Sequence, residues 1–162
     1  MQQFPQDNKY RGSAILLAFS SVFLRLALGL SFLSAVADRV GMWGAFGEPH
    51  VAWGTFDRFV TYTGQLNWFL PKTSILPLAI VATSAEITLG VLLLLGWKTR
   101  VVALLSGVLL LIFAVTMAMG LGIKAPLDAS VFSAAGGAFL LATFSDYPFS
   151  LDKLRQGSSN EA

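Results

Sequence analysis

The feature that most constrains this chain is an apolar run from about Ile75 to Gly96 that holds one acid, Glu86, near its middle. A run this long supplies the roughly 20 residues a helix needs to cross the hydrocarbon core of a bilayer. A carboxylate at that depth costs roughly 2.5–3.5 kcal/mol on insertion scales, so it has to be protonated or paired inside a bundle. A second run, from about Ser13 to Ala37, carries Arg25 in its centre. If the two runs cross in opposite senses, both charges stand near their helix midpoints. The expectation is therefore that Arg25 and Glu86 meet at one depth.

Composition agrees with a membrane setting. The chain is 55% hydrophobic and only 12% charged, against about 25% charged in soluble domains, and its mean hydropathy is +0.68. Within 162 residues, four long apolar runs and their connections leave no room for a soluble domain. The net charge of +2 comes from basic residues at segment ends, the ordinary mark of membrane orientation, and no nucleic-acid footprint is present. With no cysteine and a single histidine, His50, the chain's own residues carry no thiol chemistry, iron–sulfur ligation or multi-histidine metal site. No metal site and no covalent cofactor are expected.

The predicted organisation is an all-α four-transmembrane-helix bundle with spans at about 13–37, 75–96, 101–121 and 130–144. A polar segment, 1–12, precedes the first span and is expected to fray or lie on the membrane surface. Ala35-Val36-Ala37 has the form of a signal-peptide cleavage site, but the run before it is too long for such a peptide and contains Arg25, which favours a retained span. Ser21, Arg25 and Gly29 recur every four residues and share one face with Ala18 and Phe32 beside them, while Leu16, Phe23 and Leu30 point elsewhere. Ala79, Ala82, Thr83, Glu86 and Gly90 form a matching small, polar stripe on the second span, so the two helices are expected to approach closely.

The connection 38–74 is broken by Gly41, Gly44, Gly47 and Pro49 and is rich in aromatic residues. Trp53, Phe56 and Val60 fall at helical spacing, which predicts a short amphipathic interfacial helix. A loop this long is either an aromatic belt or a lid over a site. Asp38 and Arg39 are expected to mark where the first helix leaves the membrane. Ser74 is a candidate N-cap for the second span and Asp128 for the fourth. The tail 145–162 is polar and is expected to end disordered. Basic residues cluster as Lys9, Arg11, Lys98, Arg100, Lys153 and Arg155 on one side, which predicts cytoplasmic termini and an extracytoplasmic aromatic loop.

Four stretches carry a family resemblance: LRLALGLSFL at 24–33, DRFVTYTGQLNWFLP at 57–71, AEITLGVLLLLGWKTR at 85–100 and GIKAPLDASVFSA at 122–134. Together they resemble the DoxX family of small four-span membrane proteins over nearly the whole length, the last stretch being the most distinctive. The resemblance implies a bacterial inner-membrane protein that is an accessory or ligand-binding subunit of a quinone-linked redox system. It also implies a bound quinone or lipid and a membrane or soluble redox partner. The layout is similar to four-span quinone reductases of the vitamin K type, but this chain lacks the cysteines that perform their reaction.

The candidate site residues are Arg25, Glu86, Ser21, Thr83, His50, Lys124 and Asp128. No catalytic residue is assigned. Arg25 with Glu86 reads either as a buried ion pair fixing helix register or as the polar floor of a pocket for a quinone-like headgroup. Lys124 and Asp128, four residues apart, read as a cap with an interfacial salt bridge or as part of a mouth. His50 reads as a surface residue or a proton shuttle. Two other functions fit the same features: a permease for a small lipophilic or acidic solute, and a structural partner whose small-residue faces bind other membrane subunits, with oligomers open to either.

Overall fold

The computed structural model describes residues 7–154, with side chains from Gly12 onward. The order is α1 Asp7–Arg39, α2 Phe56–Leu66, α3 Lys72–Leu95, α4 Thr99–Leu121, α5 Lys124–Asp128 and α6 Val131–Ala142. The described residues are helical or in turns and loops, and three helices, α1 from Gly12 onward, α3 and α4, are long and apolar enough to cross a membrane. Outward-facing side chains such as Leu16, Phe23, Leu30, Ile80, Val91 and Leu105 are exposed and apolar, as a lipid-facing surface requires. The chain is an integral membrane protein with an all-α bundle.

The expected fourth span, 130–144, is the 12-residue helix α6, about 18 Å long against a hydrocarbon core of about 30 Å. Ser130 precedes it in the left-handed region (φ 55) and makes no side-chain cap, so Asp128 does not cap α6 but lies in α5. Likewise α3 starts at Lys72 after Pro71, two residues before the expected cap Ser74. Of residues 1–12, expected to fray or lie on the membrane surface, 7–12 are the first turns of α1 and 1–6 lie outside the described residues.

Two contacts set the register of the bundle. Gly29 and Gly90 face each other: a Cβ at Gly29 would stand 3.0 Å from the Gly90 carbonyl oxygen, and one at Gly90 would stand 3.1 Å from that of Gly29. The small stripes of α1 and α3 thus bring the two backbones together, antiparallel. On the other side, α6 packs along α4 through Ala135, Ala138 and Leu141, in a core shared with Leu28, Phe32, Leu93 and Val102.

The first part of the tail, residues 145–154, folds back onto the bundle. Asp152 accepts from the backbone N–H groups of Lys98 and Thr99, both at 2.7 Å, and so caps α4. Its own N–H donates to the Gly96 carbonyl at 3.0 Å. Residues 155–162, where the tail is expected to end disordered, lie outside the described residues.

Candidate functional site

Two arginines of α1 are buried, and they answer to different partners. Arg25 does not meet Glu86. Its Nε donates to the Leu93 carbonyl at 3.1 Å, Nη1 to that of Pro148 at 2.8 Å, and Nη2 to those of Leu94 at 3.2 Å and Phe149 at 3.1 Å. Leu93 and Leu94 belong to the last turn of α3, which carries the negative end of the helix dipole; the Leu93 carbonyl also accepts from the capping Gly96 N–H at 3.2 Å. Gly96 ends α3 in the left-handed region (φ 64). A Cβ there would lie 2.6 Å from Arg25 Nη2 and 2.4 Å from Ser150 Cβ, so glycine is needed both for the turn and for the clamp.

Glu86 is paired with Arg39. Arg39 Nη2 donates to Glu86 Oε1 at 3.0 Å, Nη1 donates to Glu86 Oε2, and Nη1 also donates to Thr83 Oγ1 at 2.8 Å. Side-chain exposure is 2% for Arg39 and 4% for Glu86, so the pair is buried.

Side-chain direction explains why the pairing differs from the sequence expectation. With Gly29 opposite Gly90, Arg25 is level with the end of α3, and Glu86 is level with a point about 12 Å further along α1. In a helix each Cα–Cβ bond leans toward the N-terminus. Arg25 on α1 and Glu86 on α3, running antiparallel, therefore lean apart. Arg39, at the very end of α1, leans back into the bundle while Glu86 leans toward it. A basic residue at the end of an apolar run reads as one that reaches out to the interface, which hid Arg39 as a partner. The signal in the sequence was its position six residues beyond the level of Glu86 on a helix of opposite sense.

Aromatic residues hold the Arg39 side chain in place. Its guanidinium lies 3.6 Å from the Phe59 ring centroid and 5.2 Å from that of Trp53. Trp53 arrives there because Asp38, the residue before Arg39, draws in the loop: the Asp38 carboxylate accepts from the N–H groups of Ala52 at 2.9 Å, Trp53 at 3.2 Å and Gly54 at 3.2 Å. Phe59 comes from α2, the predicted amphipathic helix, which is capped by Thr55 and buries Phe59, Thr63 and Leu66. The aromatic loop thus lies over the ion pair.

Below that lid is a cavity of about 380 Å³. Arg39 and Glu86 line it together with Trp53, Phe59, Tyr62, Thr63 and Asn67 on the lid side and Leu78, Leu110, Phe113 and Met117 on the helix side. This is the size and makeup of a small-molecule site, apolar walls with a few convergent polar groups. Arg39 Nε is buried with no hydrogen-bond partner, an unmet donor in a residue that lines the cavity. Burial pushes the Tyr62 phenol above its ordinary value near 10.0, so Tyr62 is a neutral donor there. Among the described residues there is no cluster of histidines and carboxylates that could hold a metal ion.

The other candidate residues are dispersed. Thr83 joins the Arg39–Glu86 group. Ser21 is fully buried, and its hydroxyl has no partner. His50 is exposed with φ 70 and borders a separate surface hollow with Trp43, Ser34 and Asp38. Lys124 and Asp128 form an exposed ion pair within α5, outside the cavity lining. Sequence reasoning missed Arg39, Tyr62 and Asn67 as site residues.

The family model for DoxX matches residues 20–119. The chain belongs to the DoxX family. The matched region contains both buried arginines, Glu86, the aromatic lid and α3, and it ends before the stretch 122–134, which therefore lies outside the part of the chain that is DoxX by this match. No curated protein and no solved structure matches the chain.

Proposed function

We propose that this DoxX protein is a ligand-binding subunit of a quinone-linked redox system, with the headgroup site at Arg39 and Glu86. The observation that carries the reading is a buried guanidinium that lines an apolar cavity and keeps one N–H unmet. An unsatisfied buried donor costs about 1–3 kcal/mol; Nε itself has almost no accessible surface, so a ligand carbonyl relieves that cost when the Arg39 side chain shifts toward the cavity. A quinone supplies carbonyls on a flat ring suited to walls of Trp53, Phe59 and Phe113. Glu86, an ionisable group inside the bundle, is the proton acceptor or donor for such a headgroup. Electrons come from a membrane or soluble partner, in keeping with a chain free of cysteine.

The test is equilibrium binding of duroquinone, a headgroup without a chain, to the purified protein in lipid nanodiscs. Binding is expected for the native chain and is expected to weaken about tenfold or more in Arg39→Lys, which retains charge but cannot present the same planar donors. Absence of binding to the native chain, or equal binding to Arg39→Lys, would overturn the headgroup assignment. Solute flux in vesicles with no quinone binding would point instead to a permease.

A further inference from the structure

Beside the cavity is a second void of about 440 Å³, between α1 and α6, and the two share Ala35, Glu86, Leu110, Ala129 and Val131 in their linings. The voids adjoin along these side chains, and Glu86 faces both. The floor of the second void is buried Leu28 and Phe32, while Ser31 on α1 and Ser133 on α6 line it and are exposed. These two serines therefore mark its rim on the outer surface of the bundle. Small residues keep it open: opposite Leu24, Gly137 has room for a Cβ 3.4 Å from Leu24 Cδ2 and carries none.

We infer that the headgroup cavity is entered sideways from the bilayer between α1 and α6, and that its ligand carries an apolar chain that lies in this groove. The inference rests on the headgroup reading above and adds the route and the chemical class, a membrane-dissolved carbonyl compound with a hydrocarbon tail. Three features argue for it. The aromatic lid and the Asp38 contacts lie over the cavity at the loop end. Apart from Glu86 and three serine-or-glycine positions the groove lining is apolar, and the exposed Leu30 stands next to rim residue Ser31, which also borders the surface hollow with Asp38 and His50. Its lining along α1, from Leu24 to Ala35, covers about 16 Å of helix, enough for a linear chain and far more than a headgroup alone needs.

The absence of cysteine from the chain makes the rim open to a clean test. Ser31→Cys and Ser133→Cys are prepared in the full chain and labelled in detergent with a bulky maleimide after folding. Ser84→Cys, on an exposed position of α3 outside both linings, is the control. Each protein is reconstituted with and without label, and binding of decylubiquinone, duroquinone and decan-1-ol is measured. Labelling at 31 or 133 is expected to weaken or slow decylubiquinone binding about tenfold, to leave the equilibrium affinity for duroquinone within about twofold, and to have no effect at 84. Unlabelled variants serve as their own folding standard.

Decylubiquinone binding that is indifferent to label at both rim positions would overturn lateral entry while leaving the duroquinone site, and thus the headgroup reading, intact. Decan-1-ol that binds as tightly as decylubiquinone would identify an ordinary lipid-chain slot unconnected to the headgroup and would also overturn the inference. A native chain that binds neither quinone would remove the headgroup reading itself.

Discussion

The two ends of α1 bury the same side chain for opposite purposes. At one end Arg25 spends its donors on four carbonyls and ties the last turn of α3 to the tail. At the other, Arg39 meets a carboxylate and a hydroxyl, is stacked on aromatic rings, and keeps Nε unmet beside a cavity. A cation whose three nitrogens all donate to backbone carbonyls is a brace. One that lines an apolar void and leaves a nitrogen without a partner is a candidate site, and the difference is visible only once each nitrogen is assigned.

The comparison breaks most sharply at Glu86. Glu86→Leu leaves Arg39 as an uncompensated buried charge and is expected to destabilise the bundle by about 3–5 kcal/mol, with part of the loss recovered when Arg39→Met is added. Thermal unfolding in detergent measures both. If the double variant is no more stable than the single one, the pair is not coupled as its hydrogen bonds indicate.

Arg25→Met tests the brace. It strands the Leu94 carbonyl and leaves that of Leu93 with the Gly96 N–H alone, while those of Pro148 and Phe149 can return to water, an expected cost on the order of 1–3 kcal/mol. Limited proteolysis should then cut within 145–154 before the helices. Combined with Glu86→Leu, its effect should add within about 0.5 kcal/mol, because the two residues share no partner. A large coupling term would restore the Arg25–Glu86 pairing that the sequence suggested.

A smaller effect is expected at the tail. Asp152→Ala removes the carboxylate that caps α4 through Lys98 and Thr99 and should cost about 1 kcal/mol, as for other helix caps. An unchanged unfolding temperature would show that the Arg25 contacts alone hold the tail.

The smallest effect concerns the lid. Burial raises the Tyr62 pKa above 10.0, so the folded chain holds this proton more tightly than the unfolded one. Its contribution is fully present below the unfolded value and is lost as pH rises through the folded one. Stability of the native chain should therefore fall above about pH 10 more steeply than that of Tyr62→Phe. Parallel pH profiles would show Tyr62 to be solvated instead.

Much of the fold could be read from the chain alone. Apolar runs long enough to cross a bilayer, the small stripes around Gly29 and Gly90, the amphipathic helix after Thr55 and the DoxX likeness all follow from local pattern, because burial in lipid and close helix approach act on residue type at fixed spacing. The sequence by itself also determined that Glu86 needs a buried partner. Which arginine supplies it was decided by tertiary structure: the Gly29–Gly90 register, the antiparallel lean of side chains and a loop drawn in by Asp38 place Arg39, and not Arg25, against the acid. Those are relations between segments far apart in the chain, and a hydropathy pattern, which records depth but not direction or register, does not contain them.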